Sequence, residues 1–203
     1  MFQKDNYTIV AAADCTGHGV PGALLSMLGM SSLNEIVSRM DTPQSDVILN
    51  LLREKIKKFL DHSDNAAIKL NGMDIALAII DNDSRELEYA GANNSLLLVR
   101  DGELTEKKAN AMPIGSYIKE KPFTAERFSY QTGDVIYMYS DGYVDQFGGP
   151  ANKKFMSKNF KKLIVEISDK PLEEQSRILD ETHCEWKGNK GQTDDILVFG
   201  VKL

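Results

Sequence analysis

Three acidic positions in this 203-residue chain lie where a predicted β-strand begins or ends. Asp14 ends the strand-like run YTIVAAA, Asp141 ends the run VIYMYS, and the pair Asp194 and Asp195 precedes ILVFGV. Because strand ends can meet at one edge of a sheet, these carboxylates could lie close together. Carboxylate oxygens are the ligands that Mg²⁺ and Mn²⁺ prefer. Two such ions can activate a water molecule and bind a phosphoryl oxygen, so the pattern predicts metal-assisted hydrolysis of a phosphate ester.

Each of these aspartates also has an ordinary structural explanation. Aspartate at the end of a strand often forms a turn or caps a helix. For any one of the three positions alone, that explanation is the better one. Three such positions, each beside a long apolar strand, favour the metal-binding interpretation.

A glycine-rich loop, Gly17-x-Gly19-x-x-Gly22, joins the first predicted strand to the first predicted helix. The spacing fits the dinucleotide-binding fingerprint, but residues 14–16 separate the strand from the first glycine. A second helix also follows where that fold requires a second parallel strand. We therefore expect the glycines to form a tight turn or to let the backbone approach a metal-bound group.

Two side chains of the same loop could take part in chemistry. A nucleophilic role for Cys15 would require a phosphate-binding loop that ends in Arg, and this loop contains no Arg. His18 could protonate a leaving oxygen. We favour a role for His18 in shaping the loop.

The pattern of apolar residues predicts helices and strands in separate groups. A helix is predicted over residues 22–40, and a second amphipathic helix follows Thr42-Pro43. Further elements are predicted as strands at 74–80, 86–90, 95–100, 123–130, 135–139 and 196–201, and as helices at 155–167 and 172–186. Short turns such as Asp101-Gly102 join the strands. This arrangement predicts an α+β fold with mainly antiparallel sheet.

Composition excludes several classes of partner and compartment. The net charge of −6 argues against nucleic acid, because phosphate backbones require clusters of Lys and Arg. The two cysteines form no CxxC pair, which predicts a reduced, cytoplasmic compartment. We see no apolar run near the roughly 20 residues that a membrane helix needs, so we expect no membrane contact. The abrupt start of the chain suggests a piece of a longer protein.

Basic residues form two groups that we interpret as solvated helix faces. A docking patch for an acidic partner is the alternative interpretation. The groups consist of Arg53, Lys55, Lys57 and Lys58, and of Lys153, Lys154, Lys158, Lys161 and Lys162.

Six motifs together resemble the SpoIIE/RsbU-type phosphatases, the bacterial branch of the metal-dependent (type 2C, or PPM) serine/threonine phosphatases. The motifs are ADCTGHGVPGA at 13–23, YAGANN at 89–94, PIG at 113–115, GD at 133–134, YSDG at 139–142 and TDDI at 193–196. They occur in the order of the family and span nearly the whole chain. The resemblance implies one domain over residues 1–203, folded as an α-β-β-α sandwich of two mainly antiparallel sheets flanked by helix pairs.

The resemblance also implies a set of metal ligands for two or more Mn²⁺ or Mg²⁺ ions. Asp14 would bridge the metals, with the backbone carbonyl of Cys15 as a further ligand. Asp141 and Asp194 would complete the protein ligands of the metal pair. These three aspartates are the expected catalytic residues.

Three other aspartates are expected around that set. Asp145 lies four residues after Asp141, where related enzymes place a carboxylate for an additional metal. Asp74 lies near the same cluster in this branch of the family. Asp195 is expected to support the ligands without binding the metal.

The implied reaction is direct hydrolysis of phosphoserine or phosphothreonine by a metal-bridged water. The implied substrate is a phosphorylated STAS-type anti-anti-sigma regulator in a partner-switching pathway. Relatives usually carry an N-terminal sensor or membrane segment, so the parent protein could be anchored although this domain is cytoplasmic. A homodimer is compatible with the resemblance.

One departure from the family pattern keeps an alternative open. The family usually has an upstream Gly-Gly-Asp segment followed by an aromatic residue, and residues 1–13 contain none. We expect the N-terminal strand or strands to be missing, which would leave a metal site incomplete and a sheet edge uncovered. A catalytically impaired module that binds a phosphoprotein is therefore the alternative function. The retained Asp14, Asp141 and Asp194 argue against it, because clustered carboxylates repel one another without a cation.

Overall fold

A computed structural model of the chain describes residues 1–17, 19–61 and 72–203. The chain divides into two compact units. The first unit contains Met1–Ser95 and Lys107–Tyr130, and the second contains Leu96–Glu106 and Gln131–Leu203.

The described elements alternate between groups of helices and groups of strands. In chain order they are β1 (Phe2–Lys4), β2 (Tyr7–Cys15), α1 (Gly19–Arg39), α2 (Ser45–Asp61), β3 (Gly72–Asp81), β4 (Glu86–Ala92), β5 (Leu96–Arg100), β6 (Glu103–Lys107), β7 (Ile114–Gly115), β8 (Glu126–Ser129), β9 (Val135–Tyr139), α3 (Asp141–Asp145), β10 (Phe147–Gly148), β11 (Lys153–Lys154), α4 (Ser157–Ile167), α5 (Leu172–Lys187) and β12 (Val198–Lys202).

The first unit is an antiparallel sheet with two helices packed on it. The strand order is β1-β2-β3-β4-β8, and β7 pairs with β3 beside that path. Strand β3 is buried almost throughout because its sequence, GMDIALAIID, is apolar on both faces. Helix α2 buries the stripe that includes Ile48, Leu52 and Ile56 in the same core. These apolar faces fix the ends of β2 and β3, where two of the predicted site residues lie.

Helix α1 has an unusual composition for a helix of this unit. It has 21 residues and is apolar enough, by length and composition, to cross a membrane. The sequence-based expectation that no such segment exists overlooked it. Leu25, Leu33 and Ile36 of this helix are nevertheless buried in the core of the first unit. A core helix passes the same test of length and composition, so this is weak evidence for a membrane span.

The second unit contains a four-stranded sheet in the order β12-β9-β5-β6. Helices α4 and α5 contribute Phe160, Ile164 and Leu179 to its core. An aromatic cluster fills the centre, where the Tyr143 ring lies 5.0 Å from Phe160 and 5.3 Å from Phe155 between centroids. This core supports the short helix α3, which begins at Asp141.

The described elements confirm the α+β class and most of the predicted segments. The short strands β1, β7, β10 and β11 were not predicted, and several boundaries differ from the prediction. Strand β9 ends at Tyr139, so Asp141 begins a short helix instead of ending a strand. Strand β12 begins at Val198, two residues later than predicted. The predicted strand at 123–130 is limited to Glu126–Ser129.

Candidate metal centre

Two predicted ligands lie opposite each other at one end of the first sheet. In the antiparallel register of β2 and β3, Asp14 is the direct partner of Asp74, and Cys15 is the partner of Met73. Like charges placed directly opposite each other destabilise a ladder. We call Asp14 and Asp74, both of which were predicted as metal ligands, the first carboxylate group.

Asn93 orients one member of this group. Its side-chain amide donates a hydrogen bond of 2.8 Å to the Asp74 carboxylate. The residue has φ +57°, a left-handed conformation that Asn tolerates better than most residues. Sequence reasoning noted the YAGANN motif but gave Asn93 no role. The sequence feature that could have identified Asn93 is the pair Asn93-Asn94, directly after a strand.

The thiol of Cys15 is protected from reactivity by its surroundings. The side chain is half-buried and packs against the core of the first unit. Burial raises the pKa of the thiol, the charges of Asp14 and Asp74 raise it further, and a hydrogen bond with Ser26 opposes them. A thiol with a raised pKa stays neutral, which agrees with the rejection of a cysteine nucleophile.

The glycines of the loop after β2 form a tight turn. Gly17 and Gly19 have φ of +100° and +68°, in the region that favours glycine. A Cβ atom on Gly22 would lie 2.5 Å from the Gly17 carbonyl oxygen, so the helix start and the loop need glycine there to approach each other. The expected tight turn is present, whereas His18 lies outside the described residues.

Backbone packing in the second unit brings the Ser-Asp-Gly motif against the Asp-Asp motif. The Ser140 hydroxyl donates to the Asp195 carbonyl oxygen at 3.1 Å and accepts from the Leu197 N–H at 3.0 Å. A Cβ atom on Gly142 would lie 2.1 Å from that same Asp195 carbonyl oxygen. Serine and glycine are therefore required on either side of Asp141 for the two segments to meet.

Three predicted ligands of the second unit influence one another electrostatically. Partial burial raises the pKa of Asp141, the charges of Asp194 and Asp145 raise it further, and Lys154 opposes them. The Lys154 amino group lies 2.6 Å from the Asp145 carboxylate. We call Asp141, Asp145 and Asp194 the second carboxylate group.

A buried glutamine holds the chain just before Asp194. Gln146 is fully buried and donates to the Gly191 carbonyl oxygen at 3.1 Å. Its side-chain oxygen Oε1 accepts the Thr193 N–H at 3.1 Å. The Asp194 carboxylate accepts the backbone N–H of Asp195 at 2.8 Å, and the supporting role of Asp195 stays a prediction. Sequence reasoning missed Gln146, because nothing in its spacing distinguishes it from a surface residue.

The donor chemistry of both groups fits a hard divalent cation. Every predicted side-chain ligand is a carboxylate, the donor type that suits Mg²⁺ and Mn²⁺. Within residues 1–17, 19–61 and 72–203, no group of three or more His, Cys, Asp or Glu is arranged so that it could hold a metal ion. The described structure therefore brings together Asp14 with Asp74, and Asp141 with Asp145 and Asp194, while the complete ligand set stays a prediction.

Sequence comparison assigns the chain to a family. The family described as Stage II sporulation protein E (SpoIIE) matches residues 4–203. The chain belongs to the SpoIIE family. None of the curated protein sequences matches the chain significantly.

Solved structures agree with the SpoIIE assignment. The SiaA-PP2C domain of Pseudomonas aeruginosa is 27% identical with a TM-score of 0.89, over 100% of this chain and 78% of that one. The PP2C phosphatase domain of SpoIIE from Bacillus subtilis, solved with a fragment of its regulatory domain, is 20% identical with a TM-score of 0.72, over 97% of this chain and 57% of that one. The RsbU and RsbW domains of a Mycobacterium tuberculosis protein are 19% identical with a TM-score of 0.76, over 97% of this chain and 52% of that one.

These matches confirm the α+β sandwich fold and the resemblance to PP2C-type phosphatases. The chain spans little more than half of the second and third of these chains. As a member of the SpoIIE family it is a PP2C-type phosphatase domain.

Proposed function

We propose that this SpoIIE-family domain is a metal-dependent phosphatase that hydrolyses phosphoserine or phosphothreonine on a partner protein. The observation that carries the proposal is the second carboxylate group, in which Gly142 and Ser140 hold Asp141 against the segment of Asp194. Charged groups that raise one another's proton affinity are destabilising unless a cation or a reaction makes use of them. The SpoIIE family match over residues 4–203 includes all of these positions.

Structural neighbours support the choice of metal. The catalytic domain of the serine/threonine phosphatase PstP was solved with two manganese ions, and RsbX was solved with magnesium. We propose Mn²⁺ or Mg²⁺, in two or more ions, for this chain. Asp14, Asp141 and Asp194 would be the principal ligands, joined by the Cys15 carbonyl and by Asp74 and Asp145.

The protein's own part in the reaction is to orient carboxylates and limit their movement. When bound, the ions would supply positive charge for the phosphoryl oxygens and lower the pKa of a water molecule. Asn93 fixes the rotation of Asp74 through its amide. The N–H of Asp195 fixes the carboxylate of Asp194. Carboxylates held in place in this way need no rearrangement as negative charge develops.

Regulatory proteins are the partners that the neighbours suggest. One neighbour contains RsbU and RsbW domains, and another belongs to the bacterial stressosome. We propose a phosphorylated STAS-type regulator as the substrate and the cytoplasm as the location. No role for nucleic acid is proposed, because the chain carries a net charge of −6. A homodimer is part of the same proposal.

Hydrolysis of a phosphoserine peptide, a phosphothreonine peptide and a phosphotyrosine peptide tests this function. Each peptide would be incubated with the chain in Mn²⁺, in Mg²⁺ and in EDTA, and released phosphate would be measured. We expect release from the first two peptides only, and only with metal. Binding of a phosphopeptide without release under any condition would instead favour the impaired binding module.

A further inference from the structure

Lys154 is held beside the second carboxylate group by the local chain fold. It lies in β11, which pairs with β10 directly after α3, so that Lys154 faces Phe147 across a two-stranded ladder. Its amino group lies 2.6 Å from one carboxylate oxygen of Asp145. Both side chains are about two-fifths exposed, at 41% and 40%. The contact is therefore a defined ion pair that solvent can still reach.

This position matters because Asp145 is the carboxylate expected to bind an additional metal. A divalent ion binds a carboxylate oxygen at about 2.0–2.2 Å. An ion on the paired Asp145 oxygen would lie close to the Lys154 ammonium, and the two positive charges would repel each other. Metal binding through this Asp145 oxygen therefore competes with the ion pair to Lys154.

We propose that Lys154 serves as the resident cation of Asp145 and thereby opposes binding of an additional divalent ion there. The inference rests on the proposed metal-dependent function. It adds that Lys154 limits how many divalent ions the chain binds. Lys154 is a positioning residue, since it acts through the carboxylate. The neighbouring Lys153 is exposed and provides a control of the same charge in the same strand.

Titration with Mn²⁺ tests the proposal without any measurement of turnover. The intact chain, Lys154→Met and Lys153→Met would be compared by isothermal calorimetry, with free Mn²⁺ followed by electron paramagnetic resonance. Methionine keeps the length of the lysine stem and removes its charge. We expect Lys154→Met to bind one more Mn²⁺ than the intact chain, or to bind its weakest ion about three- to tenfold more tightly. Lys153→Met should match the intact chain.

A second substitution locates the effect at Asp145. In an Asp145→Asn background, Lys154→Met should produce no gain in stoichiometry or affinity. Unchanged Mn²⁺ binding in Lys154→Met would overturn the proposal. The proposal would also be overturned if Lys154→Met lost binding of inorganic phosphate while it bound the same number of Mn²⁺ ions as the intact chain. Lys154 would then be a phosphate contact. Failure of the intact chain and of every variant to bind Mn²⁺ would contradict the proposed function itself.

Discussion

The two carboxylate groups are positioned by different kinds of structure. Asp14 and Asp74 are held by the register of two long strands, in which every residue from Tyr7 to Cys15 has a partner in β3. Asp141 and Asp194 instead lie in a short helix and a loop. Their positions depend on single hydrogen bonds and on one glycine that allows close backbone contact.

The difference indicates where the site should tolerate change. Many backbone hydrogen bonds hold a strand in a ladder, so the loss of one side-chain contact changes its position little. A loop held by a few contacts loses its geometry when one of them fails. We therefore expect substitutions near Asp141 to reduce stability and activity more than substitutions near Asp74.

The largest effect on stability is expected for Gly142→Ala. The added Cβ atom would lie 2.1 Å from the Asp195 carbonyl oxygen, so the backbone around Asp194 must move. We expect a loss of about 2–3 kcal/mol in the free energy of unfolding, typical of overpacking, with a matching loss of phosphatase activity. Urea denaturation measures the first and peptide hydrolysis the second.

Gly191→Ala is the matched control for that substitution. It lies on the same segment before Asp194, and a Cβ atom there meets nothing within 4 Å. Stability of Gly191→Ala should stay within about 0.5 kcal/mol of the intact chain. Equal losses in both variants would mean that close packing at Gly142 does not hold the loop.

A smaller effect is expected from the ion pair at the start of β9, the strand that leads to Asp141. Arg100 donates to the buried carboxylate of Asp134 at 3.0 Å and 2.6 Å. Burial alone would raise the pKa of Asp134, but the hydrogen bonds from Arg100 and from the Gln131 N–H lower it below its usual value. The stabilisation is then fully present above the unfolded pKa of about 3.9 and is lost as the pH falls through the folded pKa.

Asp134→Asn should therefore cost about 1–2 kcal/mol in the free energy of unfolding at pH 7, since Arg100 is partly exposed. The difference from the intact chain should shrink as the pH is lowered below about 4. Exposed Asp169→Asn should cost less than about 0.5 kcal/mol at pH 7. A difference between the intact chain and Asp134→Asn that stays constant across this pH range would contradict the assignment.

The smallest effect is expected in the ladder, at Asn93. Asn93→Ala loses the hydrogen bond to Asp74 and places Ala at φ +57°. We expect about 1 kcal/mol of destabilisation or less, measured by urea denaturation, because Asn93 and its hydrogen bond are exposed to solvent. Asn93→Gly keeps the backbone free of strain and loses only the hydrogen bond, so it should lower activity severalfold with less effect on stability. If Asn93→Gly lost as much activity as Gly142→Ala, the expected difference in sensitivity between the two carboxylate groups would be contradicted.

The sequence predicted most of the elements because their apolar periodicity is strong. Strand β3 is a continuous apolar run that is buried on both faces, and helix α2 has buried residues at helical spacing. The start of α3 at Asp141 was not predicted, because a five-residue helix carries too little periodicity. The strand at 123–130 was predicted too long because the aromatic residues at its two ends, Phe123 and Tyr130, lie outside the paired segment Glu126–Ser129.

The sequence predicted the aspartates of the candidate site but not the side chains that hold them in position. The aspartates were identified from their place beside apolar strands and from the family motifs. Gln146 and Asn93 were not assigned roles, because each contacts a residue distant in sequence. The interpretation of Lys154 as part of a solvated helix face was wrong, because Lys154 lies in strand β11 and pairs with Asp145. Only the folded chain shows which backbone groups or carboxylates these side chains contact.

Hydrolysis of a small phosphate ester by Asp141→Asn tests the central claim most directly. The substitution removes the charge and keeps the shape, and a small ester needs no docking of a partner protein. We expect Mn²⁺-dependent turnover by the intact chain that is absent in EDTA. In the variant we expect a loss of about 100-fold or more, with its thermal stability retained. Asp169→Asn should keep full activity. Turnover that persists in EDTA, or that is unchanged by Asp141→Asn, would contradict the account.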